Sequence, residues 1–143
     1  MRIAEVIRRK GADVVTVAPD TGVAELVALL DEHKIGALVV SPDGGTTVVG
    51  IVSERDVVRH LHTDGAGVLE RTVAEIMTDE VQTCAPEDEL ESLARRMTDL
   101  RVRHLPVLVD GHLHAIVSIG DVVKNRLDEL QDERDQLVTY VQQ

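Results

Sequence analysis

The apolar positions of this chain fall into short runs whose spacing alternates between helical and strand-like. Ile3, Val6 and Ile7 recur at helical intervals. Val14–Val17 reads as a brief strand, and Pro19 with Asp20 marks a turn into a second helix. That helix carries Val23, Leu26, Val27 and Leu30 on one face. "IGALVV" (35–40) is an unbroken apolar run of strand length, and "SPDGG" supplies turn chemistry. "TTVVGIV" is a second strand, and from Asp56 the pattern is helical again.

The whole pattern then repeats. "RIAEVI" (2–7) is echoed by "TVAEIM" (72–77). Residues 15–40 align with 82–107 without a gap, so that Thr16 meets Thr83, Pro19 meets Pro86, Leu26 meets Leu93 and Leu30 meets Met97. "GIVSERD" (50–56) is answered by "AIVSIGD" (115–121), and Asp110-Gly111 is a hairpin turn between "HLPVLV" and "HLHAIV". The expected fold class is α+β: a tandem of β-α-β-β-α units, each led by a helix. Two copies suit pseudo-twofold pairing better than a solenoid, which needs more units. The repeat bounds place one unit at 1–64, a linker at 65–71 and a second unit at 72–125. Residues 126–143 form a C-terminal helical extension.

That extension is distinctive. Ile119, Val123, Leu127, Leu130, Leu137 and Val141 recur at helical spacing, interrupted by Arg134, in the polar filler "DELQDERDQ". The helix is longer than its unit needs. Its surplus reads as a packing surface for another subunit or for its own bundle end, with a solvated overhang as the alternative.

Composition narrows the function. Among 143 residues there is no Phe or Trp and one tyrosine, Tyr140, so the core is aliphatic and stacking platforms for single-stranded nucleic acid are missing. A net charge of −11 disfavours nucleic acid and anionic membranes, and the basic clusters Arg8-Arg9-Lys10, Arg95-Arg96 and Arg101/Arg103 are short. One cysteine, Cys84, fits a reducing compartment. Without a signal-peptide pattern or a run of membrane-spanning length, the expected location is cytoplasmic.

The candidate chemistry is a Ser-x-x-Asp that occurs twice, as Ser53 with Asp56 and as Ser118 with Asp121. Each sits where a strand becomes a helix. As structure, the Ser caps an orphaned N–H and the acid bonds back, a capping box. As function, a helix N-terminus after a strand holds anions, the Ser adds a phosphate donor and the Asp can accept ribose hydroxyls. The residues alone leave both readings open.

The ordered set "VVTVAPDTGVAEL", "IGALVV" and "GIVSERD", with second copies "VQTCAPEDELESL", "VRHLPV" and "AIVSIGD", resembles a pair of CBS domains, often called a Bateman module. The resemblance covers nearly the whole chain up to the extension. It implies that Ser53 with Asp56, and Ser118 with Asp121, contact phosphate and ribose of adenosine-containing ligands in a cleft between the two units. It also implies that the strand before each hairpin meets the base. Ile35-Gly36-Ala37 suits a closely approaching base, because Gly and Ala leave backbone accessible. The second copy departs from this with Arg103 and His104, which suit phosphates. Salt bridging or packing are the alternatives there. Lys10 could reach the same site, or be a solvated lysine; Arg55 and Arg59 are weaker candidates.

The implied function is a sensor that binds AMP or ATP, with NAD(H) possible, requires no cofactor, and signals to an unknown effector protein as a homodimer. A structural dimerisation module with vestigial sites is the alternative. His60/His62 and His112/His114 have metal-like spacing without a third ligand, and Cys84 aligns with the apolar Val17. No phosphate loop, nucleophile elbow or carboxylate pair points to catalysis, so the chain is not expected to be an enzyme.

Overall fold

The computed structural model describes residues 1–142. In chain order they form α1 (Ile3–Lys10), β1 (Thr16–Val17), α2 (Val23–His33), β2 (Ala37–Val40), β3 (Gly50–Ser53) and α3 (Glu54–Asp64). A short 3-10 turn (Gly65–Glu70) leads to α4 (Val73–Ile76) and α5 (Leu90–Leu100). The chain ends in β4 (His104–Val109), β5 (His112–Ser118) and α6 (Ile119–Gln142). The tandem α+β organisation and the long C-terminal helix expected from the sequence are both present.

Two compact units result, and they do not follow the repeat bounds. One comprises Asp13–Gln82 with Val109–His114; the other comprises Met1–Ala12, Thr83–Leu108 and Ala115 onward. The helix that leads each repeat therefore packs with the other repeat's elements. The reason is visible at the Pro turns. Ile3 and Ala4 at the start of α1 donate to the carbonyls of Asp88 and Pro86, at 3.0 and 2.9 Å. Val73 and Ala74 at the start of α4 donate in the same way to Thr21 and Pro19, at 2.8 and 2.9 Å. A helix start has orphan N–H groups, and each Pro turn supplies the acceptors for them.

In the unit built on Asp13–Gln82, β1 runs parallel to β2 and β2 antiparallel to β3, with Ala37 opposite Ser53. Its core joins Val17, Val23, Leu26, Leu30, Leu38, Val40, Val52, Val68, Val73 and Ile76. The other unit holds β4 as far as Leu108 and β5 from Ala115, while the hairpin tip Val109–His114 belongs to the first, and Cys84 forms a single parallel bridge to Val107 where β1 has its counterpart. Its core joins Ile3, Val6 and Ile7 of α1 to Leu90, Leu93 and Met97 of α5, with Leu105, Val107, Val117 and Val122. Every large side chain in both cores is aliphatic or sulfur-bearing, and each fully buried one contributes roughly 1.5–3 kcal/mol. Cys84 is one of the packed residues, and burial, with the nearby Asp88 charge, pushes its thiol up to about 12.

The hairpins differ. Asp110 and Gly111 both have positive φ, 52° and 78°, the two-residue turn the sequence predicts. In the first repeat the second strand is shorter than "TTVVGIV" suggests. Asp43 accepts from the amides of Thr46 and Thr47, at 3.1 and 2.9 Å, and from the Thr47 hydroxyl, which ties that segment into a loop. These bonds, led by the Thr47 amide, hold the Asp43 carboxyl well below the usual carboxylate range.

Candidate nucleotide site

Both Ser-x-x-Asp segments lie at a β-to-α junction, so each is first a helix cap. β3 ends at Ser53, which has extended backbone angles, and the helix begins at the next residue rather than at Asp56. The Asp56 carboxylate accepts from the Ser53 amide at 2.9 Å, while the Asp56 amide donates to Ser53 Oγ at 3.3 Å. In the second copy Asp121 accepts from the Ser118 amide at 2.9 Å and its own amide donates to Ser118 Oγ at 3.1 Å. The strand before each hairpin adds the same support. The Glu54 amide donates to the Gly36 carbonyl at 3.0 Å, and the Ile119 amide to the Arg103 carbonyl at 2.8 Å. Gly36 and Arg103, which occupy equivalent repeat positions, thus hold the helix mouths through backbone whatever their side chains do. Neither pair of bonds uses the amide of Arg55 or Gly120, the remaining donors of the first turn.

Beyond the shared cap the copies diverge. Asp56 is only 4% exposed. The Ser53 hydroxyl donates to its Oδ2 at 3.1 Å, the Thr78 hydroxyl to its Oδ1 at 3.4 Å, and Arg59 stands 3.8 Å away. His60 Nδ1 lies 2.9 Å from the Asp56 carbonyl. Asp121 is half-buried instead, and its Oδ2 takes the Lys10 ammonium at 2.5 Å. Lys10 also donates to the Ile116 carbonyl at 2.9 Å. Burial by itself would raise the Asp121 carboxyl. The Lys10 hydrogen bond and charge, with the Ser118 amide and hydroxyl, outweigh it and hold the acid below the usual carboxylate range.

The sequence-derived candidates therefore fall into two groups. Ile35, Gly36, Ala37, Ser53 and Asp56 belong to the unit built on Asp13–Gln82, and Lys10, Arg103, His104, Ser118 and Asp121 to the other. Ala37 is buried and Ile35 exposed, and Ile35 with Gly36 lines an open groove of about 620 Å³ beside Val27, Glu54 and Val58. Arg103 is exposed and His104 half-buried at the start of β4. Lys10 is an exposed residue whose ammonium is the direct partner of Asp121.

Thr78 escaped the sequence reading. It follows α4 just as Arg8 lies near the end of α1, and the repeat alignment was the available signal. Each leading helix, packed with the other repeat, brings a polar residue to the Asp there: Lys10 to Asp121, Thr78 to Asp56.

Comparison with known proteins gives a consistent picture. The CBS domain model matches residues 3–63 and 73–128. The mitochondrial CBS domain-containing protein CBSX3 of Arabidopsis thaliana is 34% identical over 147 residues, spanning 98% of this chain and 71% of the relative. The crystal structure of a CBS-domain containing protein from Agrobacterium tumefaciens superposes with a TM-score of 0.85 at 43% identity, covering 88% of this chain and 99% of that one. The CBS domain pair of protein MJ0100, solved in complex with 5-methylthioadenosine and S-adenosyl-L-methionine, shares the fold with a TM-score of 0.78 at 21% identity, covering 90% of this chain and 98% of that one. CBS-domain pairs are regulatory modules. With both repeats matched and both caps built alike, the chain belongs to the CBS-domain family, as a tandem pair.

Proposed function

We propose that this protein is a non-catalytic regulatory module that reversibly binds an adenosine nucleotide, AMP or ATP with NAD(H) as a further candidate. Its output is a conformational change read by a partner protein, with the chain working as a homodimer in the cytoplasm. The observation that carries this reading is Asp121: a half-buried carboxylate at a helix mouth, held below the usual carboxylate range and paired with the Lys10 ammonium. An acid in that state can accept ribose hydroxyls, and the Gly120 amide, the Ser118 hydroxyl, Lys10, Arg103 and His104 offer donors to phosphate. Within the unit built on Asp13–Gln82, Ile35, Gly36 and Ala37 are the candidates for contact with a base, beside Ser53 and Asp56, where the motif is repeated. The adenosine-type ligands of the distant MJ0100 domain pair support the ligand class.

The measurement that tests it is thermal melting with AMP, ATP, NADH and S-adenosylmethionine, each at millimolar concentration. A ligand at a hundred times its Kd adds about 2.7 kcal/mol to the folded state, a rise of several degrees. An unchanged melting point with all four sinks the sensor reading.

One observation favours a second reading for the first copy. Asp56 is buried and satisfied by its own cap, Thr78 and Arg59, as a purely structural residue would be. The scaffold alternative would extend that state to both copies, and the same melts decide it.

A further inference from the structure

The C-terminal helix carries a surface that its own unit does not use. α6 runs for 24 residues, about 36 Å. Only Val122 and Asn125 of it are buried, and from Leu130 to Gln142 every described residue is exposed. Arg9 donates to the Asn125 side chain at 3.2 Å, and that side chain donates to the Asp121 carbonyl at 2.7 Å, so the first half of α6 is tied down. The second half is a bare helix of about a dozen residues, a length that is marginal in water without a packed face.

Its apolar residues keep a strict seven-residue repeat. Val123, Leu130 and Leu137 occupy one position of the heptad, and Leu127, Arg134 and Val141 the other, four and three residues apart in alternation. The five apolar members are 45–80% exposed. The stripe lies more than a third of a turn from the face carrying Val122 and Asn125. The acids Asp128, Asp132 and Asp135 stand outside it.

We propose that this stripe is a parallel two-stranded coiled coil with α6 of a second copy of the chain. The charge pattern names that occupant. Arg134 is the one polar residue in the seam, where it would be costly alone. In a parallel pair the residue before it, Glu133, flanks the same layer on the facing helix, so each Arg134 meets the partner's Glu133. The reverse orientation sets Glu133 against its own copy instead. A single polar seam position of this kind fixes register and strand number at a cost in stability. Lys124, Arg126 and Gln131 flank the first layers without forming a like-charged pair across the parallel seam. The acidic outer face disfavours an anionic membrane as the occupant. This inference is independent of what the Ser-x-x-Asp segments bind.

The test uses the full chain with Cys84→Ser. Leu137→Cys, at a position that faces its own copy in the parallel coil, should cross-link on mild oxidation into a covalent dimer in most molecules. Asp132→Cys, on the outer face, should give at least ten-fold less. In sedimentation, Glu133→Arg should weaken self-association about ten-fold or more, and adding Arg134→Glu should restore it. Equal cross-linking at the two positions, no cross-linking at position 137, a monomer at high micromolar concentration, or a dimer indifferent to Glu133→Arg would each overturn the proposal.

Discussion

Ser53–Asp56 and Ser118–Asp121 share one local design yet sit among different partners. In both, a strand residue caps a helix, the acid closes the box, and the carbonyl of Gly36 or Arg103 supports the next amide. The first acid is sealed under Thr78 and beside Arg59; the second remains half-solvated and is held by Lys10. Duplication preserved the cap, and the residue delivered by the leading helix set the difference. The Thr78 hydroxyl meets a buried acid, and the Lys10 ammonium meets a half-buried one whose carboxyl it helps to hold below the usual range.

The sharpest break of that comparison is at Gly50, whose counterpart in the second copy is Ala115. A methyl group built on Gly50 would lie 2.5 Å from Met77 Sδ and 3.0 Å from the Thr78 carbonyl. The segment carrying Thr78 can approach β3 only because that side chain is missing. Gly50→Ala is expected to destabilise the fold by ~1–3 kcal/mol through overpacking, visible as a lower urea midpoint. A neutral outcome would mean that the Thr78 segment packs less tightly on the first acid.

Removing the acids comes next. Asp56→Ala should cost ~2 kcal/mol, because it deletes the cap and leaves the Thr78 hydroxyl without its acceptor. Asp121→Ala should cost ~1 kcal/mol, since its surroundings are partly solvated, yet weaken nucleotide binding more than Asp56→Ala does. Chemical denaturation and ligand titration on the same two variants give both numbers. Equal stability losses would erase the distinction between the copies.

A smaller effect is pH-dependent. The folded-state pKa of Asp121 is depressed, so its contribution to stability is complete above the ordinary carboxylate range near pH 4. It is lost as pH falls through the depressed folded value. Lys10→Ala removes the main lowering interactions and leaves the burial that raises the acid. The carboxyl midpoint, followed by carbon NMR, should therefore move up in the variant, and the acid limb of the stability curve should move with it. No movement would show that Lys10 does not control the second site.

The smallest expected change is Cys84→Val, which makes the second copy resemble Val17 in the first. Swapping one packed side chain for another of similar volume should shift stability by less than about 1.5 kcal/mol. A larger loss would assign the thiol more than a packing role.

Much of this architecture was legible because periodicity and repetition are local. Leu26 and Leu93, Leu30 and Met97, and the two Ser-x-x-Asp segments could be matched without coordinates, and the hairpin at Asp110-Gly111 followed from turn chemistry. Two things were not legible. The repeat alignment drew boundaries by similarity, whereas packing pairs each leading helix with the other repeat; which surface covers Val6 or Val73 depends on where the Pro86 and Pro19 carbonyls stand in space. Lys10 could not be told from a solvated lysine, because its partner lies 111 residues away.

The amino-acid sequence by itself determined the duplicated α+β fold, the aliphatic core, the two capped helix mouths and the family. Those features are written in spacing and in side-chain type, which act over a few residues. Only the tertiary structure decided that one acid is closed by Thr78 and the other held by Lys10, since ionisation and burial depend on groups that folding brings together.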